Sequence, residues 1–163
     1  MSLQIIEQDI FEPPINVIIH QMNCIGEWGI GKLKKEIVSK FPNVKQADNE
    51  RVRHDDPRIL GRFLVINVTG NEIRPNLNYV INLYSQFICG EDGKRYTDYE
   101  ALYMGLYDLH YAIDSMEEKE LVFGIPHGLG CRTGGGSWNI VYAIINEVFK
   151  DTQSDVRICR KSD

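Results

Sequence analysis

The sequence lacks an excess of basic residues. Its 163 residues include 18 Lys and Arg against 23 Asp and Glu, which gives a net charge of −5. No basic tail or stripe of Lys and Arg runs along the chain. Proteins that bind duplex nucleic acid neutralise several phosphates with such residues, so a nucleic-acid partner is not expected. A small anionic ligand remains compatible with this charge, because backbone amides can bind it without net positive charge.

Cysteines are few and stand far apart. The four of them form no C-x-x-C pair: Cys24, Cys89, Cys131 and Cys159. Structural zinc sites and redox pairs bring cysteines together at short spacings. We therefore expect reduced thiols, no metal and no cofactor.

Long apolar runs are also missing. No run reaches the roughly 20 residues that a membrane-spanning helix needs. The stretch MSLQIIEQDI has neither the basic start nor the apolar centre of a signal peptide. These features predict no membrane partner and a cytoplasmic location. The length of 163 residues, 43% of them apolar, suggests one domain over residues 1–163 with a core of ordinary size.

Glycine, in contrast, is concentrated in two loops. Before the second loop, an apolar run at residues 121–125 stops at Pro126, and five glycines follow within nine residues, from Gly128 to Gly136. An apolar-periodic segment then begins at Trp138. This order predicts a buried strand, a glycine-rich loop and a helix. The loop backbone can approach a ligand closely, and the helix N-terminus attracts phosphate. The alternative is that these glycines only reverse the chain.

The first glycine loop has the same setting. Residues 15–22 are rich in β-branched side chains and predict a buried strand. Residues 23–31 contain three glycines, and residues 32–41 have apolar side chains at helical spacing. Ligands of open α/β sheets bind beyond the carboxyl ends of the strands. Both loops should therefore lie on one edge of the sheet and face one cleft.

Neither loop completes a known nucleotide-binding motif. Residues 26–32 match G-x-x-x-x-G-K, but Leu33 stands where a P-loop needs Ser or Thr to hold magnesium. The dinucleotide fingerprint also fails, because Gly128 and Gly130 are followed by Thr133 instead of a third glycine. What remains is a pair of loops that can each surround a phosphate with amides, which together predict a pyrophosphate site.

Strand and helix patterns alternate along the chain. Strands are predicted at residues 3–6, 15–22, 59–68, 79–84, 121–125 and 156–159, and helices at 32–41, from 97 to about 116 and at 138–149. The helix from Thr97 should begin with a capping box that Thr97 forms with Glu100. Residues 43–58 are charged and predict a solvated helix or loop. The alternation predicts an α/β fold with a mixed, mostly parallel sheet and helices on both faces.

Several side chains near the loops could recognise the rest of a nucleotide ligand. Asp9, together with the amide of Ile10, matches the N6 donor and N1 acceptor of adenine, unless Asp9 only caps a turn. Asn23 could bond a ribose hydroxyl or form an Asx-turn. Trp28 and Trp138 flank the loops and could cover a sugar or a base, or belong to the core.

Four motifs in chain order carry a family resemblance. They are Gln8-Asp9-Ile10, N-C-x-G-x-W-G-I-G from Asn23, T-D-Y-E-A-L from Thr97, and I-P-H-G-L-G-C-x-x-G-G-G-x-W from Ile125. Together they resemble a macro domain, in particular the compact bacterial and phage-type branch related to ADP-ribose-1''-phosphate phosphatases. The resemblance spans about residues 3–159 and is specific because both glycine loops take part.

The resemblance implies a three-layer α/β/α fold and a cleft for ADP-ribose or a derivative. Asp9 and Ile10 would contact adenine, and Asn23 and Trp28 would meet the distal ribose. The pyrophosphate would be held by two sets of backbone groups: Gly26, Trp28, Gly29, Ile30 and Gly31 in the first loop, and Gly128, Leu129, Gly130, Cys131 and Arg132 in the second. No metal is required for binding.

The motifs leave two alternatives for catalysis. Ser137 stands where related sequences often have Asp, and residues 83–86 contain no Lys. The phosphatase branch has a His at the position of His20, which could act as a general acid or base or be a buried strand residue. One hypothesis is hydrolysis of ADP-ribose-1''-phosphate or an ADP-ribosyl ester. The alternative is a non-catalytic reader of ADP-ribosylated targets, and the oligomeric state is left open.

Overall fold

The computed structural model describes residues 3–115 and 120–162, which form six strands and four α-helices. In chain order these are β1 (Leu3–Glu7), β2 (Val17–Asn23), α1 (Lys32–Lys40), α2 (Pro42–Arg51), β3 (Phe63–Asn67), β4 (Tyr79–Gln86), α3 (Tyr99–Asp114), β5 (Val122–Pro126), α4 (Trp138–Phe149) and β6 (Asp155–Arg160). Among these described residues, no helix is both long and apolar enough to cross a membrane.

The strands form one sheet in the order β1-β6-β5-β2-β4-β3. Every neighbouring pair is parallel except β3 and β4, which are antiparallel. The prediction of a mixed, mostly parallel sheet is therefore confirmed. The central strands β2 and β4 are almost fully buried, as strands covered by helices on both faces must be.

Two apolar clusters cover the two faces of the sheet. On one face, α3 contributes Leu102, Leu106, Leu109 and Ile113, which are all buried at helical spacing, and α4 packs beside it. On the other face, α1 and α2 contribute Ile37 and Val44. The sheet with a helical layer on each side is the three-layer arrangement expected from the sequence.

The capping box predicted at Thr97 is wrong. Helix α3 begins at Tyr99, and its cap is Asp98, whose carboxylate accepts a hydrogen bond from the Ala101 amide at 3.0 Å. The Thr97 hydroxyl instead donates to the Gly130 carbonyl at 2.6 Å. The predicted helix end near residue 116 lies outside the described residues.

Residues 43–58 contain an ordered helix with a buried side, which their polar sequence did not indicate. Val44 and Asp48 of α2 are both fully buried. The strand predicted at residues 59–68 is shorter in the structure, because a 3₁₀ turn (Pro57–Ile59) and Gly61, at φ +87°, precede β3. The other boundaries agree with the sequence to within a few residues.

Candidate functional site

A cavity of about 610 Å³ opens at one edge of the sheet. The five parallel strands end at this edge, and the segments that follow β1, β2, β5 and β6 line the cavity. Gly31 of the first glycine loop and Gly130 of the second are both among the lining residues. The volume suits a ligand of nucleotide size. The two loops therefore face one cleft, although about a hundred residues separate them in the chain.

The end of the first loop forms the N-terminus of α1 at the cavity. Gly31, Lys32 and Leu33 line the cavity wall. Gly31 is the N-cap at φ +98°, a conformation that favours glycine, and no side chain caps the helix. The first-turn N–H groups have no intrahelical acceptors and carry the positive end of the helix dipole. This helix end can therefore attract an anion.

The earlier part of the first loop is not among the residues that line the cavity. Gly26 lies against the His54 ring, which is 2.5 Å from where a Cβ would be. The amide of Gly29 donates to the Glu27 carboxylate. Neither glycine lines the cavity, nor does Ile30. Of the first-loop residues proposed for the pyrophosphate, Gly31 lines the cavity. The roles of Gly26, Gly29 and Ile30 stay predictions.

Asn23 and Trp28 serve the loop and the core. The Asn23 amide group donates to the Glu27 carbonyl at 2.7 Å, and its oxygen accepts from the Glu27 amide at 2.9 Å. Trp28 is only 4% exposed, and its Nε1 donates to Asp48 at 3.1 Å. Neither residue lines the cavity. In this structure Asn23 makes an Asx-type turn and Trp28 is a core residue. The contact of either residue with a distal ribose stays a prediction.

The second loop presents most of its backbone to the cavity. Gly128, Leu129, Gly130 and Arg132 line it, whereas the Cys131 side chain packs against the apolar cluster beside α3 and α4. Within the described residues, the N–H groups of Gly128, Gly130 and Arg132 donate to no protein acceptor. Burial raises the pKa of Cys131, so this residue is a thiol and not a thiolate. The loop is thus a source of free amide donors.

The conformation of this loop is fixed by neighbouring side chains. The Gly130 carbonyl accepts from the Thr97 hydroxyl at 2.6 Å and from the Gly136 amide at 2.8 Å. A Cβ at Gly130 would lie 2.9 Å from side-chain oxygens of Gln21 and Thr97, and its φ is +71°. Gly128 also has a positive φ, +83°, but a Cβ there would meet nothing within 4 Å. Gly130 is therefore required by close packing, and Gly128 only by its backbone conformation.

Asp9 and Ile10 follow β1 at one end of the cavity. The Asp9 carboxylate accepts from the Phe11 amide at 3.0 Å and pairs with Lys161 at 3.1 Å. Partial burial acts to raise the pKa of Asp9, but the hydrogen bonds from Phe11 and Lys161 outweigh it and hold the pKa below its ordinary value. Ile10 is 7% exposed. Asp9 is thus an ionised acceptor at the rim, already shared between a turn amide and a lysine.

His20 lines the cavity from β2 and is almost fully buried. Its Nε2 lies 2.6 Å from the Asn82 side-chain oxygen, a geometry in which Nε2–H donates. Its Nδ1 has no hydrogen-bond partner among the described residues. Burial lowers the pKa of His20 to about 4. His20 is therefore a neutral imidazole beside the cavity, and its Nδ1 is buried without a partner among the described residues.

Sequence reasoning missed the buried polar chain behind His20. Asn82 contacts the Tyr84 hydroxyl at 3.4 Å, and that hydroxyl donates to Asp48 at 2.5 Å. Asp48 also accepts from Trp28 and lies 3.0 Å from His54. Burial, followed by the bond to Asp48, raises the pKa of Tyr84 far above its ordinary value. The only sequence signal was that Asn82 and Tyr84 interrupt an otherwise apolar strand.

A second polar group missed from the sequence lies beside His20. Gln21 and Gln86 line the cavity, and the Gln21 side chain bonds those of Gln86, Ser85 and Thr97. His127 also lines the cavity, and its ring centroid lies 4.4 Å from that of Trp138, the second tryptophan named as a candidate. Among the described residues, no group of three or more His, Cys, Asp or Glu could hold a metal ion.

Known proteins resemble this chain in structure and not in sequence family. No protein-family model matches the sequence, and no curated protein matches it. A Bacteroides thetaiotaomicron structure is similar at 24% identity and a TM-score of 0.77, covering 98% of this chain and 99% of its own. The macrodomain of Thermus aquaticus DarG is 20% identical with a TM-score of 0.73, over 99% of each chain. Thermosipho africanus DarTG in complex with ADP-ribose is 18% identical with a TM-score of 0.76, over 97% of this chain and 41% of that one.

The fold and the paired loops define an α/β/α protein with a cleft at the carboxyl edge of its sheet. Structural likeness at TM-scores above 0.7 then assigns the architecture: the chain has the macrodomain fold. The resemblance seen in the sequence is confirmed at the level of the fold. Its closer placement, with the ADP-ribose-1''-phosphate phosphatases, stays a prediction.

Proposed function

We propose that this protein binds ADP-ribose, with the diphosphate between the N-terminus of α1 and the second glycine loop. The observation that carries the proposal is the meeting of two donor sets at one cavity. The uncapped first turn of α1 begins at Gly31, and the free amides of Gly128, Gly130 and Arg132 line the same space. Backbone amides of this kind bind phosphate oxygens.

The two ends of the cavity suit the adenosine and the distal ribose of the ligand. At one end, the Asp9 carboxylate can accept from the adenine amino group, with Ile10 beside the base. At the other end, His20, Gln21 and Gln86 offer polar atoms to the distal ribose. The similar structure of Thermosipho africanus DarTG, which was determined in complex with ADP-ribose, supports this choice of ligand.

Calorimetry tests the binding proposal directly. We expect a roughly micromolar Kd for ADP-ribose, or about −8 kcal/mol, and much weaker binding of ATP, which has no distal ribose. Asp9→Ala should weaken ADP-ribose binding by about 1 kcal/mol or more. Asp151→Ala, an exposed residue that does not line the cavity, is the control. Equal affinity for the two nucleotides would contradict the proposed ligand, and an unchanged Asp9→Ala would remove its adenine role.

Hydrolysis at the distal ribose is a second candidate function, favoured by one observation. His20 is neutral, lies beside the cavity and has an unpartnered Nδ1, which could accept a proton from water that attacks a phosphate or acyl group on that ribose. This role requires that water reach Nδ1, which is buried in the ligand-free protein. The reader alternative is favoured by the second loop, since residues 128–138 contain no carboxylate. Phosphate release from ADP-ribose-1''-phosphate by the protein and by His20→Ala decides between them. No release supports the reader, and equal release from both proteins excludes His20 as the base.

A further inference from the structure

Lys34 of α1 is a buried cation that lines the cavity. The residue is 7% exposed. The next lysine, Lys35, is exposed and does not line the cavity. In the described part of the chain, no carboxylate lies within 4 Å of the Lys34 ammonium, although Lys40 of the same helix pairs with Glu36 at 3.7 Å. The protein itself therefore supplies no close counter-charge to Lys34.

The stem of Lys34 runs back toward the start of the helix. Its Cε lies 3.2 Å from where a Cβ of Gly31 would be, and the same point is 3.7 Å from the Thr133 hydroxyl. Side chains of α-helices lean toward the N-terminus, which explains this path. The Lys34 side chain thus approaches the narrow space where the first turn of α1 meets the second glycine loop.

A charged lysine that is largely buried and has no carboxylate partner is unfavourable, and the surroundings of Lys34 reflect this. Burial lowers the pKa of Lys34, although the nearby Cys89 and Glu27 act in the opposite direction. The charge of Lys34 in turn lowers the pKa of His20, after the larger effect of burial. Buried charges are stable when they are paired and hydrogen-bonded, so an anion between the loops would stabilise this cation.

We propose that Lys34 is the charged partner of the diphosphate held between the two loops. This inference rests on the proposed function and adds an ionic contact to a cradle made otherwise of backbone amides. A hydrogen bond between an ammonium and a phosphate oxygen is about twice as strong as one between neutral groups. Lys34 would therefore supply a large share of the affinity and would select ligands with a phosphate at this place.

Two methionine variants of one helix test this role. Lys34→Met should weaken ADP-ribose binding by about 10- to 100-fold, as expected for loss of a charged hydrogen bond, while Lys34→Arg retains part of the affinity. Lys35→Met is the matched control and should stay within about twofold. Because an apolar side chain replaces a buried charge, Lys34→Met should unfold at the same or a higher temperature than the unsubstituted protein.

Charge-specific measurements separate this role from a structural one. The unsubstituted protein should show a steeper loss of affinity with salt than Lys34→Met, and ADP-ribose should raise the pKa of the Lys34 ammonium measured by NMR. Normal ADP-ribose affinity in a folded Lys34→Met would overturn the proposal. The proposal would also be overturned if Lys34→Met bound ADP-ribose normally and differed from the unsubstituted protein only when inorganic phosphate was added to the ADP-ribose complex. Lys34 would then contact a different phosphate. If the unsubstituted protein does not bind ADP-ribose at all, the proposed function itself fails.

Discussion

Substitution of Asp48 should destabilise the whole protein, although Asp48 lies on a helix with a polar sequence. Its carboxylate is fully buried and accepts three contacts: the Tyr84 hydroxyl at 2.5 Å, the Trp28 indole at 3.1 Å and the His54 ring at 3.0 Å. Asp48→Ala removes the acceptor and leaves the donors where they are. The buried O–H of Tyr84 and N–H of Trp28 would then have no acceptor.

The size of the effect follows from these contacts. Each buried donor left without a partner costs about 1–3 kcal/mol. His54 is partly exposed, with 22% of its side chain accessible, so it can turn to water at little cost. Two orphaned donors, from Tyr84 and Trp28, therefore predict a loss of about 2–6 kcal/mol in the free energy of unfolding for Asp48→Ala. Asp48→Asn keeps one oxygen and the shape, and should lose about 1–3 kcal/mol.

Urea unfolding followed by tryptophan fluorescence and circular dichroism measures both losses. Glu50→Ala is the control, because Glu50 is an exposed residue of the same helix whose side chain accepts a hydrogen bond from the exposed Gln46. It should change stability by less than about 0.5 kcal/mol. A loss below about 1 kcal/mol for Asp48→Ala would refute the reasoning. It would mean that Tyr84 and Trp28 find other acceptors or water.

Two further predictions concern His20 and the second loop. Burial holds the pKa of His20 near 4, against 6.5 ordinarily, so the unfolded chain binds the extra proton between these values. The free energy of unfolding should therefore fall as the pH decreases from about 6.5 to 4, by up to about 1.4 kcal/mol per pH unit. Urea unfolding of His20→Gln should lack this contribution. An identical pH dependence in the two proteins would contradict the buried neutral state of His20. Gly130→Ala should destabilise more than Gly128→Ala, since its methyl group meets Gln21 and Thr97 at 2.9 Å while that of Gly128 meets open space. Backbone conformation alone costs roughly 1–2 kcal/mol in either variant, and equal urea midpoints would show that the contacts at Gly130 relax.

The parts of the fold that were predicted correctly depend on local patterns. Helix α4 begins and ends as predicted, because its apolar spacing and the preceding glycines mark both its period and its start. The order of strands and helices likewise predicts where the glycine loops meet, since parallel strands end at one edge. Pattern and topology together predict that the two loops meet, and Gly31 and Gly130 do line one cavity.

What the sequence could not indicate is the direction of single side chains. A lysine and an aspartate in charged segments are ordinarily solvated, yet Lys34 and Asp48 are buried, because neighbouring segments cover them. Asn23 and Trp28 stand beside the first loop in sequence but turn toward the protein interior. Loop dihedral angles and contacts from distant strands decide such orientations, and no local pattern encodes them.

The anchoring of the Gly130 carbonyl by Thr97 and Gly136 has a kinetic consequence. A loop whose backbone is already immobilised loses little conformational entropy when a ligand binds. Association should then proceed at the rate of simple encounter, and the free and occupied forms of this loop should superpose closely. Thr97→Val, which removes the anchoring hydroxyl, should make association slower than in the unsubstituted protein.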